Sequence, residues 1–308
     1  MTTDLLLIVA GLGVGVVVGL TGMGGGALMT PLLVLFFGVP PLAAVSSDLM
    51  ASLVMKPVGG LVHLRRGTVD KRLVGWLCVG SVPCAFGGVL VARSFGDGER
   101  MQQVVQLALG AALLLAVAGL AAKAFVGVRD RGRGTPVEPP RPVRARPVPT
   151  VLVGAVGGLI VGMTSVGSGS LIIVALLVLY PMLSARDLVG TDLVQAVPLV
   201  AAATLAHLAF GDFRLSLTAF LLVGALPGVY VGAKLSSRAP GSVVRRALGL
   251  VLLASGLKML GVGNLALLVA VAGGLLVCVP GWLLLRPVLA ARLAARTAPA
   301  TGADGRTQ

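Results

Sequence analysis

Residues 5 to 37 form one apolar segment, broken near its middle by Thr21-Gly22-Met23-Gly24-Gly25-Gly26-Ala27. Glycine is a poor helix-interior residue, and a cluster of four is expected to interrupt any helix that contains it. The flanking pieces, 5–20 and 28–37, each read as too short to cross ~30 Å of hydrocarbon. A break at that depth leaves backbone N–H and C=O groups unpaired, which is tolerated only beside a cavity or a ligand. The same device returns as Thr164-Ser165-Val166-Gly167-Ser168-Gly169-Ser170, 143 positions later. Two broken helices in matching places mark a membrane binding site.

Composition agrees. Of 308 residues, 56% are hydrophobic and 12% charged, with a mean hydropathy of +1.01. Apolar runs of that kind exclude a soluble domain and predict an all-α integral membrane protein. The net charge of +14 comes from basic residues in short loops between apolar spans, so membrane orientation explains it better than nucleic acid. The first residues lack a basic stretch and carry Asp4, so they are not read as a signal peptide. Cys78, Cys84 and Cys278 lie in apolar spans without metal-ligand spacing and read as small buried hydrophobes, with no metal or cofactor implied.

The chain then divides into halves. Spans are expected at about 42–64, 73–92 and 102–125, giving a first unit over 1–127. Residues 128–149, rich in Arg and Pro, read as a cytoplasmic linker. The second unit, 150–262, repeats the first: Asp48 and Asp192, His63 and His207, Gly80 and Gly224, Pro83 and Pro227, and Gly88 and Gly232 are all 144 apart. One extra C-terminal transmembrane helix is expected at 263–286, and a disordered cytoplasmic tail at 287–308.

Charge indicates how the halves are related. The loop after the His63 span holds Arg65, Arg66, Lys71 and Arg72. Its counterpart after His207 has only Asp212 and Arg214, while the next loop carries Lys234, Arg238, Arg245 and Arg246. Equivalent loops prefer opposite sides, which predicts two inverted repeats. Each repeat then needs an odd number of crossings, met by a broken, re-entrant hairpin plus three transmembrane helices. This puts the N-terminus outside the cytoplasmic membrane, the C-terminus inside, and Val39 and Ser184 on opposite faces. Of 25 Lys/Arg, 20 fall on the cytoplasmic side.

On this plan the hairpin tips meet near mid-membrane. Helices restarting after Gly26 and Gly169 would aim N–H groups and positive dipole ends there, which favours a small anion. The candidate binding set is Thr21, Gly22, Gly24, Gly25, Gly26, Lys56, Thr164, Ser165, Gly167, Ser168, Gly169 and Ser170, with close helix packing as the duller reading. At 100° per residue, Asp48, Ser52, Lys56 and His63 share an ~80° arc, and Asp192, Gln195 and His207 repeat it. Charges are too costly to face lipid, so both stripes are expected to face inward. Asp48, Asp192, His63 and His207 are the candidates for proton coupling. The alternatives are helix caps for the aspartates and interfacial or packing roles for the histidines. Lys56 has no counterpart, since Val200 occupies its matching position, and as an unpaired cation it is expected to lose its proton when no anion is bound.

Gly22-Met23-Gly24-Gly25-Gly26 with Pro31, Val45-Ser46-Ser47-Asp48-Leu49 with Val189-Gly190-Thr191-Asp192-Leu193, and Arg66-Gly67-Thr68-Val69-Asp70 resemble the TauE/SafE sulfite exporter family of permeases. The resemblance spans roughly residues 11–260. It implies transport of sulfite, an organosulfonate or a related sulfur anion, coupled to protons. The second glycine motif departs from the family pattern, with Ser168 in place of a glycine and Val174 where a proline is frequent. A passive anion channel is the near alternative. An intramembrane hydrolase is the distant one, since no G-x-S-x-G or H-E-x-x-H occurs. The expected partners are a small anion, protons and the lipid bilayer, and homo-oligomers are compatible with the sequence.

Overall fold

The computed structural model describes residues 2–21, 25–95, 98–133, 145–181, 183, 185–210, 213–235 and 241–274. They form two compact units, divided between Gly263 and Asn264. The described residues of the first unit form the helices α1 (Thr2–Thr21), α2 (Gly26–Phe37), α3 (Pro41–Arg65), α4 (Lys71–Ser94), α5 (Glu99–Arg133), α6 (Pro147–Thr164), α7 (Leu171–Leu179), α8 (Ala185–Phe210), α9 (Leu215–Leu235) and α10 (Gly241–Met259). In the second unit the described part, Asn264–Gly274, is a short apolar helix. Most of the extra C-terminal span, the tail and Cys278 lie outside the described residues.

Local chemistry sets the helix ends. Proline opens α3 and α6 at a position where its missing N–H costs nothing. The Asp70 carboxylate caps α4, accepting from the N–H groups of Arg72 and Leu73 at 2.9 and 3.1 Å. At the other end of α2, Gly38 takes the left-handed conformation that stops a helix.

Among the described residues, six helices are long and apolar enough to cross a membrane: Pro41–Arg65, Lys71–Ser94, Glu99–Ala121, Pro147–Thr164, Asp187–Phe210 and Leu215–Gly232. The pieces flanking the first break are shorter apolar helices, Asp4–Leu20 and Gly26–Phe37, as expected. The second break differs: its entering limb α6, with 18 residues, reaches about 27 Å, and its return limb α7 has 9 residues. The stretch between the halves also differs: α5 continues to Arg133, so helix takes in the first residues of the stretch read as linker. Residues 134–144 lie outside the described residues.

The core is built on glycine seams. On α6, Gly154, Gly158 and Gly162 lie against the backbone of Leu77, Ser81 and Ala85 on α4. On α9, Gly224, Gly228 and Gly232 lie against Ile8, Leu12 and Val16 on α1. Every fourth residue is small, so the backbones approach until no Cβ would fit, the close packing that substitutes for a hydrophobic drive inside lipid. In both pairs the contacts advance together along the two chains, so the partners run parallel.

The pairing is reciprocal across the halves. In the 144-residue offset, α1 corresponds to α6 and α4 to α9, and each long limb packs on the other half's helix. Corresponding helices that touch run antiparallel. Between α3 and α8, Ser46 meets His207 while Gly60 meets Val194. Between α5 and α10, Gln106 donates to the Met259 carbonyl at 3.2 Å, and Gly110 lies beside Gly256.

Candidate functional site

The second break is a tight, left-handed piece of chain. Ser165 has φ 59°, the one positive value at a non-glycine among the described residues, followed by Gly167 at 132° and Gly169 at 98°. Glycine adopts such angles freely, which is why this tip is glycine-rich, and Ser165 holds its angle at a cost typical of functional sites. The limbs α6 and α7 lie antiparallel. At their base the Arg146 N–H donates to the Tyr180 hydroxyl at 2.8 Å, and Tyr180 also hydrogen-bonds Thr150 at 2.6 Å. Further in, Gly157 faces Ile172. The chain therefore leaves this hairpin at the end where it entered.

The two breaks meet. Gly26, which opens α2, lies so close to Ser165 that an added methyl would sit 2.9 Å from its hydroxyl and 2.9 Å from the Asp48 carboxylate. The Ser165 hydroxyl donates to Asp48 Oδ2, and the Lys56 ammonium donates to the Ser168 hydroxyl. Around this junction Gly26, Ala27, Lys56, Ser168 and Ser170 border a small cavity, closed by Ala116 and Leu120 of α5 and Leu252 of α10. Its volume, about 10 Å³, is room for about one water. An oxyanion needs more room than this. Pro31 lacks an N–H, which leaves the Ala27 carbonyl at the cavity without its helical partner.

Electrostatics correct one expectation. Lys56 is not an unpaired cation: both Asp192, from α8, and Asp48 lie within Coulombic reach of its buried ammonium. The sequence missed this because the three groups sit on two helices and Val200 offered no acidic counterpart. The polar stripe is inward at Asp48, Ser52 and Lys56, as expected, but only half-buried at His63. His63 turns instead to Thr68 of its own loop, 2.9 Å from the hydroxyl.

The other candidates separate. His207 is buried rather than interfacial, with Nε2 at 2.8 Å from the Gly162 carbonyl and Nδ1 at 2.8 Å from the Ser46 hydroxyl. Its ring ties three helices away from the cavity. Asp48 and Asp192 sit two turns into α3 and α8, and the Asp48 carboxylate lies beside Gly25 and Gly26 at the start of the broken helix α2, the kind of end the cap reading had in view. Thr164 spends its hydroxyl on the Ile160 and Val166 carbonyls and does not border the cavity. The expected free N–H donors of α7 are also engaged, since those of Ser170, Leu171 and Ile172 all reach the Gly167 carbonyl at 3.0–3.4 Å. A tip this tight folds its own donors back, so the serine hydroxyls and Lys56 are the polar side chains on the cavity lining. Gly25 lies beside Asp48 without bordering the cavity. Thr21 ends α1, and its side chain, with Gly22 and Gly24, lies outside the described residues.

Several participants carried no signal in the sequence. Ala116, Leu120 and Leu252 look like any membrane-helix residue. The Gln195 amide donates to Ser81 at 2.7 Å, joining α8 to α4, and only the polarity of Gln195 on its stripe hinted at a partner.

The sequence compares directly with known proteins. It is 37% identical over 255 residues, 82% of this chain and 98% of the relative, to the probable membrane transporter protein YjnA of Bacillus subtilis (strain 168). It is 26% identical over 250 residues, 80% of this chain and 96% of the relative, to the probable membrane transporter protein YdhB of the same organism. No solved structure matches. The family described as "Sulfite exporter TauE/SafE" matches residues 7–259. With broken helices meeting at a buried lysine in a multi-pass helical membrane protein, and with this match over nearly its whole length, the chain belongs to the TauE/SafE family of membrane transporters and is not an enzyme.

Proposed function

We propose that this protein is a secondary active transporter that moves a small anion, sulfite, an organosulfonate or a related sulfur oxyanion, across the cytoplasmic membrane with protons. The observation that carries this reading is the buried Lys56 ammonium at the junction of two broken helices, faced by the Ser168 hydroxyl. A trigonal or tetrahedral oxyanion needs a positive charge and several donors at short range, which this junction offers.

Charge balance supports the coupling. With Asp48 and Asp192 ionised, the cluster with Lys56 carries a net charge of −1, and an incoming anion would deepen it in a low-dielectric interior. Protonation of the carboxylates removes the penalty, so anion entry and proton uptake favour each other. The expected sign is tighter anion binding at lower pH. In vesicles with an imposed pH gradient, Asp192→Asn is expected to keep anion exchange but lose most of the gradient-driven acceleration. Undiminished acceleration in both Asp192→Asn and Asp48→Asn makes the aspartates structural. Flux that ignores the gradient in the unmodified protein turns the reading to a passive channel.

The inverted-repeat arrangement is part of the same proposal. It is supported by the antiparallel contact of corresponding helices, α3 with α8 and α5 with α10, since parallel repeats would bring them together in one direction. It puts the N-terminus outside and equivalent loops on opposite faces. Ser184 lies outside the described residues, but Leu183 matches Val39 at the 144 offset. In a background without the native cysteines, single cysteines at Val39 and Leu183 are expected to react with an impermeant thiol reagent from opposite sides. Reaction from one side refutes the inversion.

A further inference from the structure

The cavity beside Lys56 has two unlike walls. One is polar. The Ser168 oxygen accepts from the Lys56 ammonium, so its single hydrogen is left for another acceptor, and Ser170 borders the same space. Gly26 and Ala27, also on the lining, open α2, where a helix's first N–H groups have no acceptor within the helix. The other wall is Ala116 and Leu120 of α5 with Leu252 of α10, three buried side chains without a polar atom.

The cavity must widen to admit an oxyanion, and widening leaves the second wall apolar. Between Gln106 and Lys123 α5 has no side chain that can donate a hydrogen bond, and between Arg246 and Ser255 α10 has none. Helix N–H groups in mid-span are spent on their own carbonyls. An anion held by Lys56 and the serines therefore turns its far side to groups that cannot donate to it. In sulfate or phosphate that far side is a fourth oxygen, stripped of water and left without a partner, which is costly. In sulfite it is the lone pair on sulfur, a poor acceptor, and in a sulfonate it is carbon. We propose that Ala116, Leu120 and Leu252 are specificity-determining residues: they make the site select anions with three oxygens and a fourth side that needs no hydrogen bond over anions with four oxygens. The inference rests on the anion-transport reading above and adds which side of the ligand the apolar wall reads.

The test is calorimetry on the purified full chain with inorganic sulfite, sulfate and methanesulfonate, at a pH where sulfite and sulfate are both dianions. Equal charge then leaves the fourth oxygen as the difference between them. Sulfate is expected to bind at least about tenfold more weakly than sulfite, the cost of one buried acceptor left unpaired. Methanesulfonate should also bind more tightly than sulfate, although its single charge draws it less strongly to Lys56. Leu252→Asn puts an amide donor on the wall, and Ala116→Ser puts a hydroxyl there with so little change in volume that it guards against a fold defect in the asparagine variant. Each should narrow the gap between sulfate and sulfite by about tenfold and weaken methanesulfonate. Leu252→Met, apolar and similar in bulk, should keep the order of the unmodified protein. Sulfate binding as tightly as sulfite in the unmodified protein overturns the inference, and so does an unchanged order in both polar variants. If all three probes bind alike, the anion reading stands and the wall loses its role. If none of them binds, the anion reading falls and the inference with it.

Discussion

Replacing Lys56 with methionine is expected to weaken anion binding by at least about 1.5–3 kcal/mol, roughly ten- to a hundredfold. Among the described residues the ammonium is the one cationic group on the cavity lining, and it already donates to Ser168 there. Methionine keeps the length and apolar bulk of the side chain. Asp192 would lose its counter-ion but can take up a proton, so the fold should survive. Lys56→Arg should recover only part of the affinity. Its planar fork is bulkier than an ammonium in a cavity of about 10 Å³, and it cannot release a proton to balance the site. Calorimetry with sulfite on purified protein at two pH values is the measurement. The unmodified protein should bind more tightly at the lower pH, where neutral carboxyls no longer compete for the ammonium. Undiminished affinity in the methionine variant would assign the anion to the hairpin tips alone.

The largest effect on stability is expected along the glycine seams. A side chain at Gly158 would run into the backbone of Ser81, and one at Gly228 into that of Leu12. Backbone cannot step aside as a flexible side-chain end can, so Gly158→Leu and Gly228→Leu must push whole helices apart. Overpacking of this kind costs about 1–3 kcal/mol or more, a large share of the ~5–15 kcal/mol that holds a domain together. Each variant should lose its monodisperse peak in detergent and its thermal transition. Gly87 and Gly249 are the controls, since nothing lies within 4 Å of an added methyl. Alanine at either should be neutral or stabilising by roughly 0.5–1 kcal/mol, because it removes backbone freedom from a helix interior. If the seam and control variants melt alike, close helix approach is not what holds these pairs.

The sequence determined what depends on neighbours along the chain. Glycine clusters broke the first helix of each half, because the helix-breaking property is local to the residue. Hydropathy located the long spans, and the 144-residue offset matched α3 to α8 before any contact was known. The buried stripe of Asp48, Ser52 and Lys56 was legible because helical periodicity puts these residues on one face, and charge forbids that face to lipid. The tertiary structure decided what depends on residues far apart. Ser168 reaches Lys56 across 112 positions, Ser165 reaches Asp48 across 117, and Ser46 reaches His207 across 161. No spacing rule selects such partners. The counter-ions of Lys56 were hidden for the same reason, and the seam glycines read only as repeat markers until their partner helices were known. A single helix states which of its faces must be covered. Which helix covers it, and which hydroxyl ends beside which charge, is settled only when all the faces are buried at once.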